Sequence, residues 1–327
     1  MAGLRKYLKL ERQCEETAIL KRRVGPFLVD NEKRKRLSIQ IGNDEHARER
    51  RVFAMPKSCQ NGHFECELTI SDEELQEFMD EYPDHLLHFR AVTEQGDERV
   101  FEGVAHLIDN EGWSVISDID DTVKLTHVGS TRKLLRSTFM EEFQEVHGMA
   151  EKYREWAHDL NAKFHFVSSS PWQLWEEIDI FLRRSGFPLA TYHLKPIRLK
   201  DRTLFDLWKD PVKTKTDTIQ SILEEYPHRW FALVGDTGEK DPEVYGEMAR
   251  RFPQRIQGIF LRNVTNETGT EERYQQAFEG VDPSLWNIFN DPNEMELSSE
   301  VLEAFAHTHT HSNTHIDTNA EVKEEEE

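Results

Sequence analysis

From residue 113 onward the chain alternates short apolar runs with amphipathic stretches, and this alternation limits the folds open to it more than any other feature. The runs are WSVISDID, KFHFVSSS, ATYHL, WFALVGD and IQGIFLRNV; the stretches among them lie at roughly 139–160, 171–185, 213–225 and 242–252. A strand that is apolar along its whole length must be covered on both faces, and parallel neighbours need a crossover of about a dozen residues or more. The pattern predicts an α/β fold: a doubly wound parallel sheet with helices on both sides, over about residues 113–290.

Upstream, residues 24–112 read as a β-rich accessory domain, a small and mostly antiparallel sandwich. Its short runs are RLSIQIGN, RRVFAM, GHFECELTI, HLLHFRAV and ERVFEGVAHL, broken by turn signals such as Asn61-Gly62. One segment, SDEELQEFMDEYPDHL, opens with Ser71 three residues before Glu74, a capping box that starts a short helix. Residues 1–23 predict a basic, mildly amphipathic helix. Residues 291–327, ending AHTHTHSNTHIDTNAEVKEEEE, predict an acidic, His-rich disordered tail. Its histidines His307, His309, His311 and His315 have no rigid frame to hold a metal.

Lys and Arg number 41 against 62 Asp and Glu, so the formal charge is −21 and a phosphate backbone would be repelled by the average surface. A nucleic-acid partner is therefore not expected. Residues 1–57 hold 15 basic and 8 acidic residues, so they carry +7 and the remainder −28. A basic N-terminal segment of this kind fits peripheral contact with an anionic membrane. The opening residues MAGLRKYLKLERQCEE lack an apolar run followed by small residues, so a cytoplasmic location is expected. Cys14, Cys59 and Cys66 are odd in number and lack metal-type spacing, which predicts reduced thiols.

The residues able to carry chemistry cluster at the ends of the apolar runs, where open α/β sheets bind ligands. Ser117-Asp118-Ile119-Asp120-Asp121-Thr122 closes the first run, and alternation sets Asp118 and Asp120 on one side. Two carboxylates that close cannot both stay ionised cheaply without a cation, and hard oxygen ligands suit Mg²⁺. A second acidic cluster, Gly235-Asp236-Thr237-Gly238-Glu239-Lys240-Asp241, closes a later run, and Asp236 and Asp241 would face the same crevice as Asp118 if the strands are neighbours. Between them, Val167-Ser168-Ser169-Ser170-Pro171 offers hydroxyls and amides to a phosphoryl oxygen, although such a run is by itself more often a plain helix cap. The segment Pro211–Asp217 adds two lysines, Lys213 and Lys215.

Taken in order, Asp-x-Asp-x-Thr, a strand-end Ser, Lys and Gly-Asp-x4-Asp are similar to the four-motif signature of the haloacid dehalogenase superfamily of phosphohydrolases. Whole phrases, VISDIDDTVKLTHV, FVSSSPWQLWEEIDIFL, HLKPIRLKDRTLF and LVGDTGEKDPEVY, resemble the catalytic region of the phosphatidate phosphatases of the fungal actin-patch type and their bacterial relatives, over about residues 113–265. The resemblance implies that Asp118 is the nucleophile and forms an aspartyl-phosphate, and that Asp120 is the general acid and base, a role helped by a pKa raised toward neutral. It implies a Mg²⁺ site drawn from Asp118, Asp120 (through its carbonyl), Asp236 and Asp241, with Asp241 positioning metal-bound water. Thr122, Ser168, Ser169 and Lys215 would surround the phosphate. Lys215 is preferred to Lys213 because its spacing to Ile219 fits the Lys-x3-Ile pattern, with Lys213 as the alternative. Asp121 departs from the Gly of many superfamily members but fits the phosphatidate phosphatase branch.

In this superfamily, insertions such as Val123 to Asn161 and the segment after Ser168 form caps that select substrate. Arg132, Lys133 and Arg136 beside Leu134, Leu135 and Phe139, and a second cluster of Arg198, Lys200 and Arg202, combine charge and apolar surface suited to a lipid headgroup; a plain solvated helix face and an ordinary loop are the alternatives. His127 and His193 can reach substrate, though a lone histidine is more often structural. The expected activity is hydrolysis of phosphatidate to diacylglycerol. A phosphatase for a soluble metabolite or phosphoprotein, and a non-catalytic adaptor, are the alternatives; the intact set of acids argues against the last.

Overall fold

The computed structural model describes residues 14–29, 32–41, 51–60, 62–81, 86–93, 96–126, 131–195 and 211–310. Helix α1 (Cys14–Val24) leads into a 3₁₀ turn at Gly25–Leu28. Strands β1 (Ser38–Ile41), β2 (Val52–Ala54), β3 (Leu86–Val92) and β4 (Glu102–His106) form an antiparallel sheet in the order β2-β1-β3-β4, with Ile39 opposite both Phe53 and Ala91. Helix α2 (Asp72–Glu81) begins with the expected capping box: the Glu74 amide donates to Ser71 Oγ at 3.3 Å and the Ser71 amide to Glu74 Oε2 at 3.1 Å. The run GHFECELTI forms no strand. None of residues 62–70 is buried, so its β-prone side chains have no layer to pack on. Among the described residues the expected sandwich is thus one four-stranded sheet.

The second sheet contains β5 (Glu111–Ser117), β6 (Lys163–Pro171), β7 (Ala190–Lys195), β8 (His228–Asp236), β9 (Ile256–Arg262) and β10 (Trp286–Phe289). Its order is β10-β9-β8-β5-β6-β7 and every pairing is parallel. Successive side chains alternate between two cores. Val115, Ala232, Val234 and Phe260 join one, and Ile116, Phe231, Leu233, Ile259 and Leu261 the other. Helices α3 (Thr131–Phe139), α4 (Met149–Asp159) and α5 (Trp175–Arg184) cover the first face; α6 (Pro211–Glu225), α7 (Asp241–Arg251) and α8 (Glu272–Ala277) cover the second. The chain winds outward from β5 through β6 to β7, then returns to β5's other side at β8. The crevice between β5 and β8 is therefore a topological switch point, and both acidic clusters end there.

Two stretches expected to be peripheral belong to this core. Leu20, Val24 and Phe27 are buried against the α/β layer, Phe27 edge-on to Phe139 at 5.8 Å. Arg23, 1% exposed, donates to the carbonyls of Thr138 (2.9 Å) and Glu141 (2.6 Å) and to Glu177 (3.1 Å), with Phe143 beneath its guanidinium. Arg22 also pairs with Glu177, so these two charges are held internally. At the other end, the disorder expected from residue 291 does not extend through 310: Met295 and Leu297 are buried. Helix α9 (Ser299–Thr310) packs Phe305 edge-on to Trp113 at 5.6 Å. Polar composition masked those few apolar anchors. Residues 311–327, with His311 and His315, and residues 1–13 lie outside the described residues.

Arg23→Ala leaves two carbonyls and Glu177 without their donor, and should cost about 2–3 kcal/mol by chemical denaturation. His165 gives a pH-dependent counterpart. It is buried between Thr191 Oγ1 (2.9 Å) and Ser114 Oγ (3.3 Å), and burial pushes its pKa down to about 3. The unfolded chain takes up this proton near pH ~6.5 while the native chain does not, so stability falls as pH drops below that value. The stability difference between wild type and His165→Gln should therefore shrink from pH 7 to pH 5.

Candidate functional site

Beyond β5 the Asp118 amide donates to the Val234 carbonyl of β8 at 2.9 Å, which continues the strand pairing by one residue and sets Asp118 beside the end of β8. The chain then turns tightly, with Val123 and Lys124 amides both donating to the Ile119 carbonyl at 3.0 Å. Asp121 sits in the left-handed region at φ 55°, where glycine is usual. Its side chain offsets that cost by accepting the Thr126 amide at 2.7 Å, and its carbonyl accepts from Arg262 at 2.7 Å.

The turn separates the two acids of the first motif into different environments. Asp118 Oδ1 accepts from Lys215 Nζ at 2.9 Å, and Thr122 Oγ1 lies 3.4 Å from Asp118 Oδ2. Asp120 faces away, with Oδ1 accepting from Lys124 Nζ (2.6 Å) and Thr126 Oγ1 (2.7 Å), and Oδ2 from Ser170 Oγ (2.8 Å) and Ser168 Oγ (3.3 Å). Burial alone would raise the Asp120 pKa, but Lys124 and the hydroxyl donors outweigh it and hold the carboxyl below its ordinary range. The expected rise toward neutrality is thus reversed in this state.

Around Asp118 the balance runs the other way. Burial pushes its pKa well above the usual carboxylate range; Lys215 opposes this, while Asp241, Glu239 and Asp120 reinforce it. Asp236 is raised well above its usual range by burial, then by Asp241 and Asp118. Burial pushes Glu239 up to about 8; Lys215 opposes this, while Asp241, Asp236 and Asp120 reinforce it. Lys215 is buried on α6; burial works to lower its pKa, but Asp118 and Asp241 raise it well above its ordinary value. It touches both carboxylates, with Glu239 at 3.9 Å. Lys213, by contrast, is exposed and pairs with Asp217 at 2.8 Å.

Carboxylate oxygens of Asp118, Asp236 and Glu239 all lie within 4.8 Å of one another. Asp236 Oδ1 accepts the amides of Gly238 and Glu239, while its Oδ2 is buried with no hydrogen-bond partner among the described residues. An orphaned carboxylate oxygen facing two more carboxylates fits a hard divalent cation. Asp241, expected among the metal ligands, is instead taken up by Lys215 and by the Asp236 amide at 3.0 Å. Its approach requires Gly235: a Cβ there would stand 2.7 Å from Asp241 Cγ. Asp120's side chain is likewise engaged elsewhere.

Sequence reading missed Glu239, Lys124, Thr126 and Ser170. Glu239 was on the page inside the second acidic cluster, but a loop position has no periodicity that reveals where it points. Of the proposed cap residues, Leu134, Leu135 and Phe139 are buried in the core, so α3 offers no apolar face to a headgroup. Arg136 pairs with Glu141. His193 shares Thr191 with His165 and lines a cavity next to Ser168. His127, Arg198, Lys200 and Arg202, and the side chain of Arg132, lie outside the described residues.

Residues 113–263 match the family model described as phosphatidate phosphatase APP1, catalytic domain. An uncharacterized protein of Schizosaccharomyces pombe is 35% identical over 165 residues, which cover 49% of this chain and 27% of that protein. Phosphatidate phosphatase APP1 of Saccharomyces cerevisiae is 32% identical over 169 residues, 50% of this chain and 28% of its own length. The matched stretch thus spans little more than a quarter of either relative. Every carboxylate, hydroxyl and lysine gathered at the β5–β8 crevice falls inside that stretch, so it is over residues 113–263 that this chain is similar to the phosphatidate phosphatase APP1 catalytic domain.

Proposed function

We propose that this chain is a haloacid-dehalogenase-like, Mg²⁺-dependent phosphomonoesterase whose substrate is phosphatidate. The observation that carries the reading is the buried Lys215 bridging Asp118 and Asp241, beside the partnerless Asp236 oxygen. Lys215 opposes the burial that favours protonation of Asp118, and so works toward the ionised form a nucleophile needs, while Asp241 and Gly235 hold the lysine's position. Asp118 attacks phosphorus, the bond to the lipid oxygen breaks, and the departing alkoxide takes a proton from Asp120 to give diacylglycerol. Water then attacks the aspartyl-phosphate, losing a proton to Asp120, and inorganic phosphate leaves with Asp118 restored.

A carboxyl held below its ordinary range suits Asp120 to the second half, as proton acceptor. The first half requires its carboxyl to part from Lys124 and carry a proton. Ser168, Ser169 and Thr122 supply hydroxyls toward the phosphoryl oxygens, and Lys215 balances the charge of the transferring group. Asp118, Asp236 and Glu239 would hold a Mg²⁺ ion, which when bound would supply positive charge to keep these acids ionised and offset the phosphate. Among the described residues no helix is long and apolar enough to cross a membrane, so contact with a lipid surface is proposed as peripheral.

Phosphate release should be measured with Mg²⁺ on phosphatidate in mixed micelles and on soluble phosphomonoesters. Wild type should act on phosphatidate, Asp118→Asn should fall to background, and Asp120→Asn should lose about 10²–10⁴-fold. Release from soluble esters alone would discard the lipid substrate; no release from either would discard the reaction. Cation binding is read separately by thermal unfolding. Asp236→Asn removes a buried carboxylate repelled by Asp118 and Asp241, so its Tm in EDTA should exceed wild type, while the rise that Mg²⁺ gives the wild type should vanish.

A further inference from the structure

A cavity of about 840 Å³ opens beside Ser168, Ser169 and Lys215, far larger than a phosphoryl group needs. On one side the α/β domain lines it with Val167, Trp172, Tyr192 and Leu194. Pro56, Cys59, His63 and Phe64, from the N-terminal part of the chain, line it as well. This segment precedes the first motif and lies in neither insertion expected to form a cap. Lys57 and Glu65 also border the cavity, and Lys57 has no acidic partner among the described residues.

The wall is tied to the stretch that leads into β1. The Met55 amide donates to Leu37 at 2.8 Å, the Ser58 amide to Lys35 at 2.9 Å, and the Arg34 amide back to Ser58 at 2.9 Å. Ser58 Oγ, buried, donates to the Glu32 carbonyl at 2.7 Å and accepts the Lys35 amide at 2.8 Å. The Cys59 amide closes the turn onto His63 at 2.9 Å. Phe64 is therefore carried on a turn whose base is tied down. Across the cavity, Trp172 stacks on Trp175 at 6.1 Å and remains 41% exposed, an apolar surface left open to the cavity's side.

We propose that residues 56–60 and 62–65 are a cap contributed by the N-terminal part of the chain, and that Phe64 and Trp172 form an apolar subsite for the alcohol portion of the phosphomonoester. The inference rests on the phosphatase reading only for the identity of the anionic end. It makes the N-terminal domain a determinant of specificity: esters with acyl chains gain contact with this wall, and small esters do not.

The test is binding to full-length Asp118→Asn protein in Mg²⁺, by calorimetry, of dihexanoyl phosphatidate and of glycerol 3-phosphate. The acyl ester should bind about tenfold or more tightly than the small one, and Phe64→Ala and Trp172→Ala should each erase most of that ratio. Phe64→Gln, polar but of similar reach, should do the same, which separates lost apolar contact from a folding defect. Equal affinities in the parent, or a ratio that survives both alanine substitutions, would overturn the subsite. If the ratio behaves as expected while the unsubstituted protein releases no phosphate, the subsite stands and the reaction is discarded.

Discussion

Four carboxylates, Asp118, Asp236, Glu239 and Asp241, converge around Lys215, which pairs with three of them. Sheet, turns and glycine placement all serve this imbalance. The neighbouring Asp120 is settled separately by Lys124, so the crevice divides into a balanced compartment and an acid-rich one. Burial magnifies the difference, because repulsion among carboxylates is poorly screened away from water. Burial raises the proton affinity of Asp118, Asp236 and Glu239, whereas at Asp120 Lys124 and the hydroxyl donors outweigh burial and lower it. Two acids one residue apart in the sequence are thereby given opposite tendencies.

The backbone creates that division. Parallel pairing of Ser117 with Val234 brings the ends of β5 and β8 side by side, so Asp118 and Asp236 meet without any long loop to fix them. Immediately afterwards the left-handed Asp121 reverses the chain and brings Lys124 back onto Asp120. An aspartate manages this where glycine is usual because its own carboxylate caps the Thr126 amide. The site's rigidity thus comes from strand register and one tight turn.

Much of this was legible in the residues. Five strands of the parallel sheet were readable because each is apolar on both faces; the short WNIF of β10 was too brief to stand out. Lys215 was preferred to Lys213 only through the resemblance's Lys-x3-Ile pattern; the fold supplies the physical reason, since Lys215 shares a helix face with the buried Ile219 and Ile222 while Lys213 is exposed. The run GHFECELTI misled because local propensity says nothing about whether a second layer exists to cover it. The region after residue 290 misled for the opposite reason: a few apolar side chains anchor an otherwise polar segment. The depressed Asp120 was hidden because it depends on a lysine four positions away in a turn, where neither helix nor strand periodicity applies.

The packing of α1 and of the chain beyond β9 gives the folding unit different limits from the stretch of family similarity. Leu20, Val24 and Phe27 enter the core from before residue 113, and Phe289, Met295 and Leu297 from after residue 263. A catalytic fragment cut at the similarity boundaries would expose the apolar surfaces these residues cover and would strip Arg23 from its carbonyls. Ancestry and cooperativity are therefore drawn along different borders. Leu20, Val24 and Phe27 act as part of the α/β layer's interior, held there by volume and by the hydrogen bonds of Arg23.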